Sequence, residues 1–221
     1  MNEFGGQIME EKSKLVLIGG GGHCKSVLDA AIRSEDFSEI VITDYSIPAG
    51  TKILGCRVAG NDEMLSELFA EGFRNAFITI GSIYSTDRRR DVYLRAEKIG
   101  FSFPMIADPS AVIAQSALIA SGVFIGKNAV VNAGAVVEKM AIINTGAIIE
   151  HDCRIGEFTH VAVGAAVCGG AVVEKDVFIG ANATVIQGVR IGMKSIVGAG
   201  SIILGDVPED FKAVGVRGGT A

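Results

Sequence analysis

The first half of the chain alternates short apolar runs with amphipathic stretches. Three runs have the length and composition of buried strands: residues 15–18, 40–43 and 77–80. Three stretches have the apolar spacing of helices: residues 25–33, 63–70 and 87–98. Asn61 is expected to cap the second helix and Gly100 to end the third. This alternation predicts an α/β domain over residues 14–109, built on a small Rossmann-like parallel sheet.

After Pro109 the pattern changes to a period of six. Every sixth residue from Ile113 to Ile203 is Ile or Val, without an insertion or deletion. The fourth residue after each of these aliphatic residues, up to Ser201, is small or β-branched. A helix cannot keep a period of six on one face, and a flat strand alternates with a period of two. The pattern therefore predicts triangular coils of hexapeptide repeats, about 18 residues per coil, stacked into a prism.

Composition narrows the class of protein. The net charge is −5 with no basic stripe, which argues against nucleic acid as a partner. The hydrophobic share is 49% and the mean hydropathy +0.42, but no run approaches the ~18 apolar residues of a membrane helix. Residues 1–13 lack a secretory signal and are expected to be disordered or an extension. Four cysteines without a CxxC pair indicate free thiols. We expect a cytoplasmic protein without membrane insertion.

One family combines these features. A turn reading Gly21-Gly22-His23, the six-residue period, and the segment 149–160 with His151 and His160 resemble the bacterial hexapeptide-repeat sugar O-/N-acyltransferases. That family includes UDP-amino-sugar N-acetyltransferases and sialic acid O-acyltransferases. The similarity runs from about residue 15 to about residue 215. It implies a left-handed parallel β-helix over residues 110–221, a homotrimer, acetyl-CoA bound between neighbouring prisms, and a nucleotide-sugar bound by the N-terminal domain.

The resemblance also assigns roles to individual residues. His151 matches the catalytic base and Asp152 its acidic partner. Four residues match positions that approach the coenzyme: His160, Gly169, Ala181 and Ala199. Six residues match positions on the acceptor side: Gly21, Gly22, His23, Asp44, Gly81 and Asn144, the last of them near the base.

The chemistry of acyl transfer suits these residue types. A neutral imidazole accepts a proton well near physiological pH, and an adjacent carboxylate fixes its tautomer and stabilises the imidazolium. His151 and Asp152 supply both groups, and backbone amides near Gly169 are expected to stabilise the oxyanion. No nucleophilic triad is evident, and Cys153 falls at an inward position, where it is expected to belong to the core rather than to act as a nucleophile. We therefore expect direct transfer in a ternary complex rather than through an acyl-enzyme. A solvated turn histidine, a plain corner carboxylate and a packed surface His160 remain the alternatives.

The acceptor side is less specific. Residues 19–22 could cradle a diphosphate, but the turn lacks the GxGxxG pattern, and a purely structural turn is an equal alternative. Asp44 could bind ribose hydroxyls or a base. The segment 87–90, with three arginines, could face a diphosphate, but a solvated helix start is the preferred interpretation. The chain departs from the family at Tyr45, at residues 82–86 and in its tail, where Arg217 is the candidate cation for the phosphate end of the coenzyme.

Three functions compete. The first is acetylation of the amine of a nucleotide-linked amino sugar, and a close variant acetylates a hydroxyl, as on sialic acid. The second is a trimeric metal lyase of the carbonic-anhydrase type, which needs three imidazole ligands. The prism offers only His151 and His160 at an unsuitable spacing, so no metal is expected. The third is a scaffold prism, which would require no histidine–aspartate pair.

Overall fold

A computed structural model describes residues 12–217. The prediction that residues 1–13 are disordered or an extension therefore falls, as far as residue 11, outside the described residues. The N-terminal elements are β1 (Ser13–Ile18), α1 (Gly22–Ser34), β2 (Phe37–Thr43), β3 (Lys52–Ile53), β4 (Cys56–Gly60), a 3₁₀ turn (Asp62–Met64), α2 (Leu65–Ala70), β5 (Asn75–Ile78) and α3 (Asp87–Ile99). The five strands form one sheet in the order β3-β4-β2-β1-β5.

The predicted parallel sheet is confirmed, with two differences. β1 pairs in parallel with β2 and β5, and β2 pairs in parallel with β4. The hairpin of β3 and β4 was not predicted, because its strands are short and are joined at Leu54 and Gly55, both with positive φ. β5 ends at Ile78, two residues earlier than predicted, and the neighbouring β1 ends beside it at Ile18, before Gly19 at φ 110°.

The predicted helix ends are confirmed. Asn61 Oδ1 accepts a hydrogen bond from the backbone N–H of Glu63 at 3.0 Å, which caps the 3₁₀ turn before α2. Gly100 ends α3 in the left-handed region at φ 111°. Within residues 12–217, none of the helices has both the length and the apolar character that a membrane crossing requires.

Beyond residue 105 the chain winds as a prism of two-residue strands. They are β6 (Ile106–Ala107), β7 (Val112–Ile113), β8 (Leu118–Ile119), β9 (Phe124–Ile125), β10 (Val130–Val131), β11 (Val136–Val137), β12 (Ile142–Ile143), β13 (Ile148–Ile149), β14 (Arg154–Ile155), β15 (His160–Val161), β16 (Ala166–Val167), β17 (Val172–Val173), β18 (Phe178–Ile179), β19 (Thr184–Val185), β20 (Arg190–Ile191), β21 (Ile196–Val197), β22 (Ile202–Ile203), β23 (Lys212–Ala213) and β24 (Val216–Arg217). β6 lies within the segment assigned to the N-terminal domain. From β7 to β22 the second residue of every strand is the predicted Ile or Val.

The strands form three walls. The docking wall, which faces the N-terminal domain, has the order β23-β21-β18-β15-β12-β9-β6. The apolar wall has the order β24-β22-β19-β16-β13-β10-β7, and its outward residues include Val112, Ile148 and Ile202. The charged wall has the order β20-β17-β14-β11-β8 and carries the ion pairs Arg154–Glu138 and Arg190–Glu174.

The prism is held by a column of buried aliphatic side chains. Parallel pairs join residues 18 apart, as in Val131 with Ile149, so each inward Ile or Val stacks on the next. Small side chains fill the remaining interior, and Cys153 is buried among them as predicted. This burial supplies the hydrophobic stabilisation of the prism. The regular stack ends after Ile203, where Ala213 pairs with Val197 and Arg217 pairs with Ile203, 16 and 14 residues apart.

Every corner from residue 122 to residue 200 contains a residue in the left-handed region, again with a period of six. Glycine occupies seven of the fourteen positions: residues 122, 134, 146, 164, 170, 188 and 200. Asn and Asp, which tolerate this conformation, occupy four more: Asn128, Asp152, Asp176 and Asn182. Met140, Phe158 and Lys194 complete the set. This second period was not predicted from the sequence.

Helix α3 docks on one corner of the prism. Arg89 is 2% exposed and donates hydrogen bonds to the carbonyls of Phe158, at 3.1 Å, and Met140. Arg90 pairs with Asp176 on the same corner at 2.7 Å. The interpretation of residues 87–90 as a solvated helix start is therefore wrong for Arg89 and Arg90, because both guanidinium groups fix the N-terminal domain to the prism.

The inward column can be tested with a buried charge. We expect Ile155→Asp to lose several kcal/mol of unfolding free energy, because a carboxylate would enter an apolar interior without a partner. The matched control is Leu118→Asp on the same wall, where the side chain is 66% exposed and the loss should stay below about 1 kcal/mol. Thermal and urea unfolding measure both. Equal stability of the two variants would contradict the inward assignment.

Candidate active site

A cavity of about 500 Å³ lies between the carboxyl ends of β1, β2 and β5 and the docking wall. It brings together five of the residues predicted for the acceptor side: Gly21, Gly22, His23, Asp44 and Gly81. His160 of the docking wall also lines it, although it was predicted for the coenzyme side. The cavity is therefore formed jointly by the two domains.

Asp44 shapes this cavity. Its Oδ2 accepts a hydrogen bond from Gly20 N at 2.6 Å, and its Oδ1 accepts from Ser46 N at 2.7 Å and Ile47 N at 3.1 Å. Burial alone would raise the pKa of Asp44, but these N–H donors and the charge of Arg88 outweigh it and hold the pKa below its ordinary value. The carboxylate thus joins the glycine-rich turn to the loop after β2, and a contact with ribose or a base stays a prediction.

His160 has a defined tautomer. A carbonyl oxygen only accepts, so the contact of Nδ1 with Ser82 O at 3.1 Å requires a proton on Nδ1. Nε2 is then the acceptor for the amide of Asn144 at 3.2 Å. Burial, reinforced by the charge of Arg89, lowers the pKa of His160 to about 4, so the ring is neutral at physiological pH. Asn144, predicted to lie near His151, thus contacts His160.

His23 is the least satisfied polar side chain of the cavity. Its Nε2 is buried and has no hydrogen-bond partner among residues 12–217. Burial lowers the pKa of His23 to about 3, with the charges of His160 and Arg89 adding to the effect. Its ring packs edge-on against Phe124 at 5.3 Å. Buried polar atoms are nearly always hydrogen-bonded in native proteins, so this nitrogen suggests contact with a ligand.

His151 and Asp152 lie together at the corner between the apolar and charged walls. His151 Nδ1 is 2.9 Å from Asp152 Oδ2, and the two side chains are 62% and 73% exposed. The hydrogen bond to Asp152, with the negative charges of Asp152 and Glu150, raises the pKa of His151 above its usual value. Because Nδ1 donates to the carboxylate, the lone pair of Nε2 in the neutral ring is free to accept a proton.

The next coil leaves room for this imidazole. A Cβ at Gly169 would lie 2.6 Å from His151 Nε2 and 2.7 Å from Cε1, so only glycine accommodates the ring in this position. Glu150 supports the same corner, because its Oε2 accepts hydrogen bonds from His151 N and from the Asn132 amide, both at 3.1 Å. Glu150 was not predicted as a site residue, and its position next to His151 in the sequence was the only signal for it.

The remaining coenzyme-side residues lie across the apolar wall. Ala181 and Ala199 stack in the corner between the docking and apolar walls, and Gly169 lies in the corner between the apolar and charged walls. The latter corner is opposite the docking wall, so His151 and His160 are on opposite sides of the prism. In the described part of the chain, no group of three or more His, Cys, Asp or Glu side chains is placed to hold a metal ion.

The pairing of His151 with Asp152 predicts a titration shift. In Asp152→Asn we expect the pKa of His151 to fall, because the raising hydrogen bond and charge are both lost. The ring would then become neutral at a lower pH than in the parent protein. NMR titration of the imidazole measures this directly. Asp210→Asn removes the same charge at another left-handed residue and should leave the pKa unchanged; an equal fall there would refute the pairing.

Two family models match the chain. Residues 14–93 match the PglD N-terminal domain. Residues 114–139 and 170–204 match the hexapeptide repeat of succinyl-transferase. The two models correspond to the sheet domain and to the prism. No curated protein sequence matches significantly.

Solved structures agree over nearly the full length. The acetyltransferase domain of PglB from Neisseria gonorrhoeae FA1090, in complex with acetyl coenzyme A, is 31% identical over 93% of this chain and 97% of that chain, with a TM-score of 0.85. A histidine-to-alanine mutant of GDP-perosamine N-acetyl transferase from Caulobacter crescentus, in complex with CoA and GDP-perosamine, is 33% identical over 95% and 99%, with a TM-score of 0.82. WeeI from Acinetobacter baumannii AYE, 20% identical with a TM-score of 0.76, shares the fold. With its α/β domain and left-handed parallel β-helix, the chain belongs to the bacterial hexapeptide-repeat sugar acyltransferase family.

Proposed function

We propose that the protein transfers an acetyl group from acetyl-CoA to the amine of a nucleotide-linked amino sugar, with His151 as general base. The observation that carries this proposal is the exposed His151–Asp152 pair, whose free Nε2 lies over Gly169. One relative with a similar full-length fold is in complex with acetyl coenzyme A, and another is in complex with CoA and GDP-perosamine. A cavity of about 500 Å³ beside the glycine-rich turn suits a nucleotide-linked acceptor better than a free monosaccharide.

The tautomer of His151, with the proton on Nδ1, makes Nε2 the atom that accepts a proton in the proposed reaction. The neutral Nε2 of His151 takes a proton from the acceptor amine as the nitrogen attacks the thioester carbonyl carbon, and the C–N bond forms. The C–S bond then breaks, and the leaving thiolate takes the proton from the imidazolium. Asp152 stabilises the imidazolium between these steps. Acetyl passes directly from one substrate to the other, without an acyl-enzyme.

The backbone at Gly169 supplies an oxyanion donor. At equivalent corner positions the side chain of the preceding residue accepts the backbone N–H, as Asn144 does for Thr145 and Glu150 for His151. Residue 168 is a cysteine, and the Gly169 N–H makes no hydrogen bond to any residue between 12 and 217. It is therefore free to stabilise charge on the carbonyl oxygen beside His151.

The placement of the two groups supports a homotrimer. Within one chain His151 lies at the corner opposite the docking wall, whereas the acceptor cavity adjoins that wall. Packing prisms side by side brings the base of one subunit toward the cavity of the next. The exposed aliphatic residues of the apolar wall, including Val112, Ile148 and Ile202, suit such a contact.

A thiol-release assay tests the acceptor class. Acetyl-CoA is offered with UDP-, GDP- and dTDP-linked amino sugars and, separately, with sialic acid. We expect release of CoA with at least one nucleotide-linked amino sugar and an acetamide in the product. Release with sialic acid alone would replace the proposal by O-acetylation, and no release with any of these acceptors would refute it.

His151 can be tested in the same assay. We expect His151→Ala to lower kcat by about 10²–10⁴-fold, because the imidazole that accepts the amine proton is removed. Coenzyme binding and the oligomeric state should be unchanged, since the side chain is exposed. Glu157→Ala, at the equivalent repeat position of the following corner, is the control and should retain its rate. Full activity of His151→Ala would remove this residue as the base.

A further inference from the structure

The three arginines at the start of α3 have different environments. Arg89 is buried and bonded to the carbonyls of Met140 and Phe158, and Arg90 is paired with Asp176. Both charges are thus used to dock the helix on the prism. Arg88 is exposed, lines the acceptor cavity and forms no ion pair with any residue between 12 and 217.

The other charges of the cavity are already compensated. The carboxylate of Asp44 accepts three backbone N–H groups, and Asp62 accepts hydrogen bonds from the Thr43 hydroxyl at 3.0 Å and from Arg95 at 3.2 Å. Arg88 is close enough to Asp44 for its charge to act on that carboxyl group. Within residues 12–217, Arg88 is therefore the one cationic side chain of this cavity that has no ion-pair partner.

We propose that Arg88 binds the diphosphate of the acceptor nucleotide across the cavity from the turn at Gly21 and Gly22. A guanidinium can donate two parallel hydrogen bonds to phosphate oxygens, and the backbone amides at the start of α1 donate from the other side. The partnerless Nε2 of His23 in the same cavity independently indicates that a ligand completes it. This inference rests on the proposed nucleotide-linked acceptor.

Direct binding without acetyl-CoA tests the inference. Calorimetry would compare UDP, GDP and dTDP with uridine, guanosine and thymidine, and the tightest pair would then be measured with each variant. We expect Arg88→Gln to weaken the nucleoside diphosphate by about 10-fold or more and the nucleoside by less than about 2-fold, because only the phosphate contact is lost. Arg88→Lys should retain part of the affinity. Lys98→Gln, an exposed cation at the far end of α3, is the matched control and should bind as the parent does.

Several results would overturn the assignment of Arg88 to the diphosphate. An equal loss of diphosphate and nucleoside, a loss shared by Lys98→Gln, or full affinity in Arg88→Gln would each overturn the assignment, as would the absence of diphosphate binding by the parent protein. Inorganic pyrophosphate should compete more weakly than the nucleotide; equal competition would make the cavity a simple anion site and overturn the nucleotide assignment. Arg88-dependent binding without any thiol release would refute the proposed function and leave the diphosphate contact standing.

Discussion

The structure depends on one constraint: every coil of the prism must have the same length. An inward Ile or Val can pack on its neighbours only if the residue 18 positions away lies directly above it. A single insertion would turn the following side chains outward and expose the apolar column. The chain keeps this register from Ile113 to Ile203, and the pairs beyond Ile203 join residues only 16 and 14 positions apart.

The same constraint sets where chemistry can occur. Inward positions are restricted to apolar or small residues, so larger polar side chains are found at outward strand positions, as at His160 and Arg154, and at the corners. The left-handed corner residue bends the chain sharply and projects its neighbours outward. His151 and Asp152 occupy such a corner, and Asp152 combines the tolerated left-handed conformation, at φ 60°, with the hydrogen bond to the imidazole. The same corner thus supplies both a turn and an imidazole paired with a carboxylate.

The features that could be predicted from the sequence are those set by the spacing of apolar residues along the chain. The strands, α1, α3 and the inward column follow from apolar spacing, and the His151–Asp152 contact joins adjacent residues. The contacts that join the two domains could not be predicted from this spacing. Arg89 looked like a solvated residue because its partners are carbonyls at Met140 and Phe158, which leave no mark on the side-chain pattern. The assignment of His160 to the coenzyme side came from the resemblance and stays a prediction; its contacts with Ser82, which lines the cavity, and with Asn144 could not be predicted from the sequence.

The contacts between the two domains also set the surroundings of the two histidines in the cavity, His23 of α1 and His160 of the docking wall. Arg89 fixes α3 to the corner at Met140 and Phe158, and the segment before α3 presents the Ser82 carbonyl that holds a proton on Nδ1 of His160. Burial then keeps both His160 and His23 neutral. Neutral rings can accept or donate hydrogen bonds without repelling a protonated amine. His151 is instead exposed, and the hydrogen bond to Asp152 raises its pKa. The imidazoles of the chain therefore have pKa values shifted in opposite directions, downward by burial at His23 and His160 and upward by the carboxylate at His151.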